Sequence, residues 1–304
     1  MKALPFLCCL ARPTALLRAT VMELAILVGH LLLYPTGIQQ EQHRALPATP
    51  NGSETDPDAG PDTGPEAGSG TGPETLGGTP TGDTTTLLPT QGRSHPPVLL
   101  LHGFIDNRSV FVLLRRSLLR HGWRHVEALN YSPLTCDLRK AAELLGHHVE
   151  QICRRTGHSR VDLVGHSLGG LIARYYAQRL GGDLRVRTLV TLGTPHGGTR
   201  VAPLMSAHPL VRQMRPHSDV IVELARPAPN CRTHFVCFWS DLDQLMVPVE
   251  TARIDHRDLI TRSVRVSGVG HLALPVNGAV AAGIREALGA EEETLDSATA
   301  TSVA

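Results

Sequence analysis

Apolar positions are spaced differently in successive parts of this 304-residue chain. Between about Pro97 and Gly289, short apolar runs alternate with stretches whose apolar residues recur every three or four positions. The runs Val98–Leu101, Val126–Leu129, Val161–Val164, Leu189–Leu192, Phe235–Trp239 and Val264–Ser267 read as strands. VLLL and VDLV are nearly continuous rather than alternating, which suits strands covered on both faces of a parallel sheet. Val110–His121, Leu138–Arg155, Leu168–Leu180 and Val276–Leu288 carry helical spacing. Such alternation predicts an α/β domain, with a mostly parallel sheet of about six strands and helices on both faces. The one sizeable insertion runs from Thr199 to Asn230, and most of its apolar residues are expected to cover the sheet.

The flanks follow other rules. Residues 1–38 place Lys2, Arg12 and Arg18 before an apolar run from Ala19 to Tyr34. That order fits a signal anchor or signal peptide with its start in the cytoplasm, although the run is shorter than the ~20 residues that span a bilayer. The expected location is therefore outside the cytoplasm, with the N-terminal segment holding the chain to the membrane, or secreted if that segment is cleaved. Residues 39–96 are rich in Pro, Gly, Thr and acidic groups and offer little to bury, so a disordered linker is expected. Residues 290–304 (AEEETLDSATATSVA) read as a disordered acidic tail.

Charge narrows the partners. With 29 basic against 28 acidic residues the formal charge is +1, and aromatics make up 4%. Neither a basic face nor a stacking surface for nucleic acid is indicated. Six cysteines are too few for a disulfide scaffold and show no zinc-ligand spacing. Cys231 and Cys237, close in sequence, are expected to pair if the domain is exported. A monomer is expected, and all motifs lie beyond Arg93, so the chain from there on should suffice for activity.

The chemistry is concentrated in Gly165-His166-Ser167-Leu168-Gly169-Gly170, between the VDLV strand and the helix LIARYYAQRL. This is G-x-S-x-G in the strand–turn–helix setting that gives the pattern its meaning. A serine on so sharp a turn is held in a strained conformation. Strand and helix pass close enough to require glycine two residues to either side. Ser167 is thereby raised above the carboxyl end of its strand, where ligands bind in open α/β sheets.

A serine that attacks an acyl carbonyl needs oxyanion donors, a base and an acid to orient the base. The backbone N–H of Leu168, opening a helix, is one candidate donor. The second is the N–H of Phe104, in the His102-Gly103-Phe104 turn after VLLL. Of 16 histidines, His271 stands out, because it follows a late strand within Gly268-Val269-Gly270-His271. Asp241 and Asp243 both follow the FVCFW strand and qualify equally by position as the acid.

Together HGF, GHSLGG, TLGTPHGG, SDLDQLMVP and GVGH resemble the α/β-hydrolases of the bacterial lipase and esterase type, including small secreted lipases and actinomycete relatives. The likeness spans about Pro97–Leu288 and implies a minimal α/β-hydrolase fold. It also implies that Asp243, which precedes the apolar Leu245-Met246-Val247, is the triad acid, and that Thr194–Gly198 shapes the site without His196 being catalytic. The implied function is a serine carboxylic-ester hydrolase with Ser167, Asp243 and His271 as triad and Phe104 and Leu168 as oxyanion donors. Its substrate would be a hydrophobic or lipid ester, and the scheme requires no metal or organic cofactor. An acyltransferase or polyester hydrolase with the same triad is the alternative. A catalytically silent, membrane-tethered binding module is less favoured.

Overall fold

All four side chains of β1 (Val98–Leu101) are buried, and the reason lies in how the strand divides them. Leu99 and Leu101 enter one core cluster, and Val98 and Leu100 enter another. Each side of the sheet is thus covered by its own apolar layer, which is why the sequence shows a run rather than an alternation. The computed structural model describes residues 17, 18, 20–29, 95–104, 106–130, 137–201 and 208–301.

Beside β1 are β2 (Val126–Leu129), β3 (Val161–His166), β4 (Val186–Leu192), β5 (His234–Ser240) and β6 (Ile260–Val266). They form one sheet in the order β2-β1-β3-β4-β5-β6, with every neighbouring pair parallel. The register sets Leu101 beside Gly165, Gly165 beside Thr191 and Thr191 beside Cys237. The carboxyl ends of the central strands therefore finish at one level, and the loops leaving them converge. Inside β3, Asp162 is fully buried, and the Arg187 guanidinium of β4 meets it at 3.0 and 2.6 Å. The same guanidinium donates to the Leu288 carbonyl, joining the sheet to the last helix.

Helices α2 (Val112–Arg120), α3 (Leu138–Thr156), α4 (Leu168–Arg179) and α7 (Gly278–Thr301) cover the sheet. Residues of α3 and α4 pack in the first core cluster, residues of α2 and α7 in the second. Asp137 caps α3 by accepting the Arg139 N–H at 2.9 Å, and Gly157 ends it in the left-handed region at φ 73°. The insertion after β4 forms α5 (Pro209–Gln213) and α6 (Asp219–Ala225), whose Leu210, Val220 and Leu224 join the first cluster. Residues 17, 18 and 20–29 form helix α1. Its Ile26 packs against the second cluster, while Leu17, Val21, Leu24 and Val28 are exposed.

Several boundaries differ from those expected. β6 begins at Ile260, four residues early, because it is an edge strand whose first four side chains are exposed and so carry no core pattern. Helix α7 runs to Thr301, beyond the domain end expected at Gly289, through a stretch rich in the helix formers Ala and Glu. The expected Cys231–Cys237 disulfide is absent: both are free and buried. Cys237 lies inside β5, three residues on from His234, and an extended strand advances ~3.3 Å per residue. The two sulfurs face different partners, that of Cys231 the Ala177 carbonyl and that of Cys237 the His196 ring. The linker expected over residues 39–96 lies outside the described residues except for its last two positions. The chain divides into one unit of Met1–Gln40 with Arg93–Ala304 and another of Glu41–Gly92. Among the described residues, no helix is long and apolar enough to cross a membrane.

Candidate active site

Ser167 is the hinge between β3 and α4 and has φ 51°, ψ −119°. A non-glycine residue in that region is strained and persists only when its surroundings hold it. They do so through the backbone: the Ser167 N–H donates to the Leu192 carbonyl at 2.9 Å, and its carbonyl accepts the Thr194 hydroxyl at 3.0 Å. The flanking glycines are required by contact. A Cβ on Gly169 would lie 2.6 Å from the His102 carbonyl oxygen, and one on Gly165 would lie 2.7 Å from the Gly169 carbonyl carbon. Thr194 belongs to the Thr-Pro-His-Gly-Gly loop, so this loop pins the serine turn from the neighbouring strand. His196 of the same loop is buried, faces the Thr191 hydroxyl at 3.0 Å and lies within 3.8 Å of the Cys237 sulfur. Burial, then the nearby Arg174 charge, holds its imidazole well below the ordinary histidine range, so it is neutral.

The two candidate acids part company in their surroundings. Asp243 is 3% exposed and its Oδ2 lies 2.8 Å from His271 Nδ1. Its Oδ1 accepts the N–H groups of Leu245 and Met246 at 2.9 and 3.1 Å. These bonds fix the carboxylate as an acceptor aimed at the imidazole. Asp241 instead pairs on the surface with Arg265 at 2.7 Å. His271 is also 3% exposed. Burial pushes its imidazole down, but the charge and hydrogen bond of Asp243, with Glu23 and Asp106 adding, raise it above the ordinary histidine value. The loop bearing His271 is joined to the end of β5 by the Ser240 hydroxyl, which donates to the Val269 carbonyl.

Ser167 and His271 line one cavity of about 210 Å3, together with Gly103 and Phe104. Its wall is mainly apolar, built from Phe104, Val211, Met214, Met246 and Leu272. Val211 belongs to α5 and Met214 caps it, so part of the insertion faces the site while Leu210, Val220 and Leu224 join the core against the sheet. Leu168 opens α4, whose leading N–H groups have no acceptor within the helix and point toward the carboxyl end of β3. Among the described residues, no group of three or more His, Cys, Asp or Glu is placed to hold a metal ion.

Sequence reading missed three residues around this site. Asp106 and His166, both in the cavity wall, form a buried contact of 3.3 Å, and His166 Nε2 faces the His271 carbonyl at 3.2 Å. The available signals were an aspartate in the loop after VLLL and the variable position of G-x-S-x-G. The third is Glu23 of α1, which reads in sequence as no more than a charge within an apolar run.

The fold, the strained serine turn and the loops gathered above the sheet define an α/β-hydrolase domain. Residues 96–217 match the family model described as alpha/beta hydrolase fold. It is 33% identical over 121 residues to a triacylglycerol lipase of Pseudarthrobacter phenanthrenivorans and to one of Burkholderia plantarii. The match covers 37% of this chain in both cases, and it spans 37% and 33% of those two relatives, about a third of their length. In structure it resembles a lipase of Bacillus licheniformis in mature form, with TM-score 0.51 and 15% identity over 60% of this chain and 87% of that one.

Proposed function

We propose that the protein is a serine carboxylic-ester hydrolase acting on hydrophobic or lipid esters, with Ser167, His271 and Asp243 as its triad. The observation that carries this reading is the buried 2.8 Å contact between His271 and Asp243 at the edge of the apolar cavity that Ser167 lines. In the proposed cycle, Ser167 Oγ attacks the ester carbonyl carbon while His271 Nε2 takes the hydroxyl proton. Asp243 holds Nδ1–H, fixing the tautomer and stabilising the imidazolium. The oxyanion is held by the N–H groups of Leu168 and Phe104. His271 then gives its proton to the departing alkoxide, and the ester C–O bond breaks to leave an acyl-serine. Water, deprotonated by His271, attacks that acyl group, and the proton returns to Ser167 as the acid leaves.

The apolar wall supports an acyl chain as the group bound, and the names of the sequence relatives point the same way. The apolar N-terminal run behind a positive flank supports a location at a membrane, where such esters are found. The test is Ser167→Ala in the full chain on a soluble short-chain ester. Turnover should fall by ~10⁴–10⁶ with the circular-dichroism spectrum unchanged. Retained turnover removes Ser167 as nucleophile.

A further inference from the structure

Glu23 lies about 250 positions before the histidine loop, yet its carboxylate is bonded to it. One oxygen accepts the Leu272 N–H at 2.9 Å and the other accepts the Ala273 N–H at 3.1 Å. These residues directly follow His271 and wind into the short 3-10 turn Leu274–Val276. The Leu272 and Ala273 N–H groups lie ahead of that turn and have no acceptor within it. Glu23 supplies that acceptor from another part of the chain, in the way an acidic N-cap residue does locally.

The neighbouring residues fit this contact. A Cβ on Gly270, just before His271, would overlap the Glu23 side chain, which supplies its three nearest atoms. The glycine therefore leaves room for Glu23. One turn earlier in α1, the Thr20 hydroxyl accepts from Gln244 Nε2 at 2.9 Å, and Gln244 follows Asp243. Helix α1 thus touches both loops that carry the candidate base and acid. Three further contacts hold His271: Asp243 at the ring, His166 Nε2 at the carbonyl, and the Leu274 N–H on the same carbonyl at 3.4 Å.

We propose that Glu23 is a positioning residue for His271, and that helix α1 is consequently a working part of the catalytic domain. The proposal rests on the ester-hydrolase reading above. Residues docked in this way are not available to span a bilayer at the same time, so full activity requires the segment to stay on the domain. The charged and titratable groups facing His271 are Asp243 from the acid loop, Asp106 from the loop after β1, His166 from β3 and Glu23 from α1. Of these, Glu23 alone can be neutralised without touching the triad or the loops that hold the oxyanion donors.

The experiment uses the full chain and its Glu23→Gln variant, assayed on one soluble ester across pH. Loss of a clamp on the base should lower kcat by roughly tenfold to a hundredfold, with KM little changed. Because the Glu23 charge helps His271 hold its proton, the acid limb of the profile should also move to lower pH. A purely structural role would leave that limb in place. Gly270→Ala provides an independent check: it should slow turnover in the wild-type background and add no further loss in Glu23→Ala, where the carboxylate no longer occupies the space. An unchanged kcat and acid limb in Glu23→Gln, or additive losses in the double variant, overturns the proposal. A wild-type chain that neither turns over ester nor reacts with a fluorophosphonate at Ser167 instead removes the hydrolase reading, and this inference with it.

Discussion

Asp241 and Asp243 are two positions apart on one loop, and their surroundings give them different chemistry. Asp241 faces solvent and shares its charge with Arg265, a surface pair of the kind worth at most ~1 kcal/mol. Asp243 is enclosed, accepts two backbone N–H groups and meets the imidazole. Asp243→Asn should therefore lower ester turnover by up to ~10⁴-fold through the wrong histidine tautomer. Asp241→Asn should leave it within about a factor of three, in line with the worth of a surface pair. Their pH profiles should differ as well. His271 acts as base only when neutral, and its proton is held above the ordinary value of about 6.5. Wild-type activity should thus rise with pH through a midpoint above that value. Removing the Asp243 charge should bring the limb to lower pH, while Asp241→Asn leaves it where it was. Parallel assays of the three proteins between pH 5 and 9 check this; a crippled Asp241→Asn would transfer the acid role to Asp241.

At the scale of elements, strand placement was legible because core burial and sequence pattern coincide. β1 and β2 match the expected runs residue for residue, since Val98–Leu101 lies between Pro97 and His102 and Val126–Leu129 between His125 and Asn130. β6 was legible only in its second half, because an edge strand does not need apolar residues where solvent covers it. The serine turn was legible because its glycines answer to a contact rather than to a preference. That contact gives a prediction. Gly169→Ala would press a methyl against the Leu101 and His102 backbone, which is not free to move aside, and would displace the turn bearing Phe104. Overpacking of this kind costs ~1–3 kcal/mol. Urea denaturation should show a loss of that order, and ester turnover should fall further than stability alone explains. A variant with wild-type stability and turnover would show that helix and strand are not in the close contact described.

For the whole molecule, the sequence separates a hydrolase domain from what precedes it, and the structure joins part of that preceding segment to the domain. No local pattern could have revealed this, because Glu23 acts on residues about 250 positions away and its partners are backbone N–H groups. The pair of buried cysteines stays unpaired for a related reason: one lies within a strand, and their sulfurs are directed to different partners, Ala177 and His196. A chain beginning at Arg93, which the motifs alone suggest is sufficient, should fold but turn over ester at least tenfold more slowly than the full chain, for want of α1. Equal turnover by the two, measured at matched concentration with matching circular-dichroism spectra, would show α1 to be dispensable.

The central claim is that Ser167 is an activated nucleophile, and covalent labelling tests it most directly. A fluorophosphonate phosphonylates a serine, with loss of fluoride, only when a base withdraws its proton and an oxyanion site receives the developing charge, so labelling reports the assembled site without assuming a substrate. The native full-length chain, treated with the probe and digested, should carry one modification, on the peptide containing Gly165–Gly170. Labelling should be lost in Ser167→Ala and slowed strongly in Asp243→Asn. A native chain that remains unlabelled, or a label on any other residue, would contradict the account.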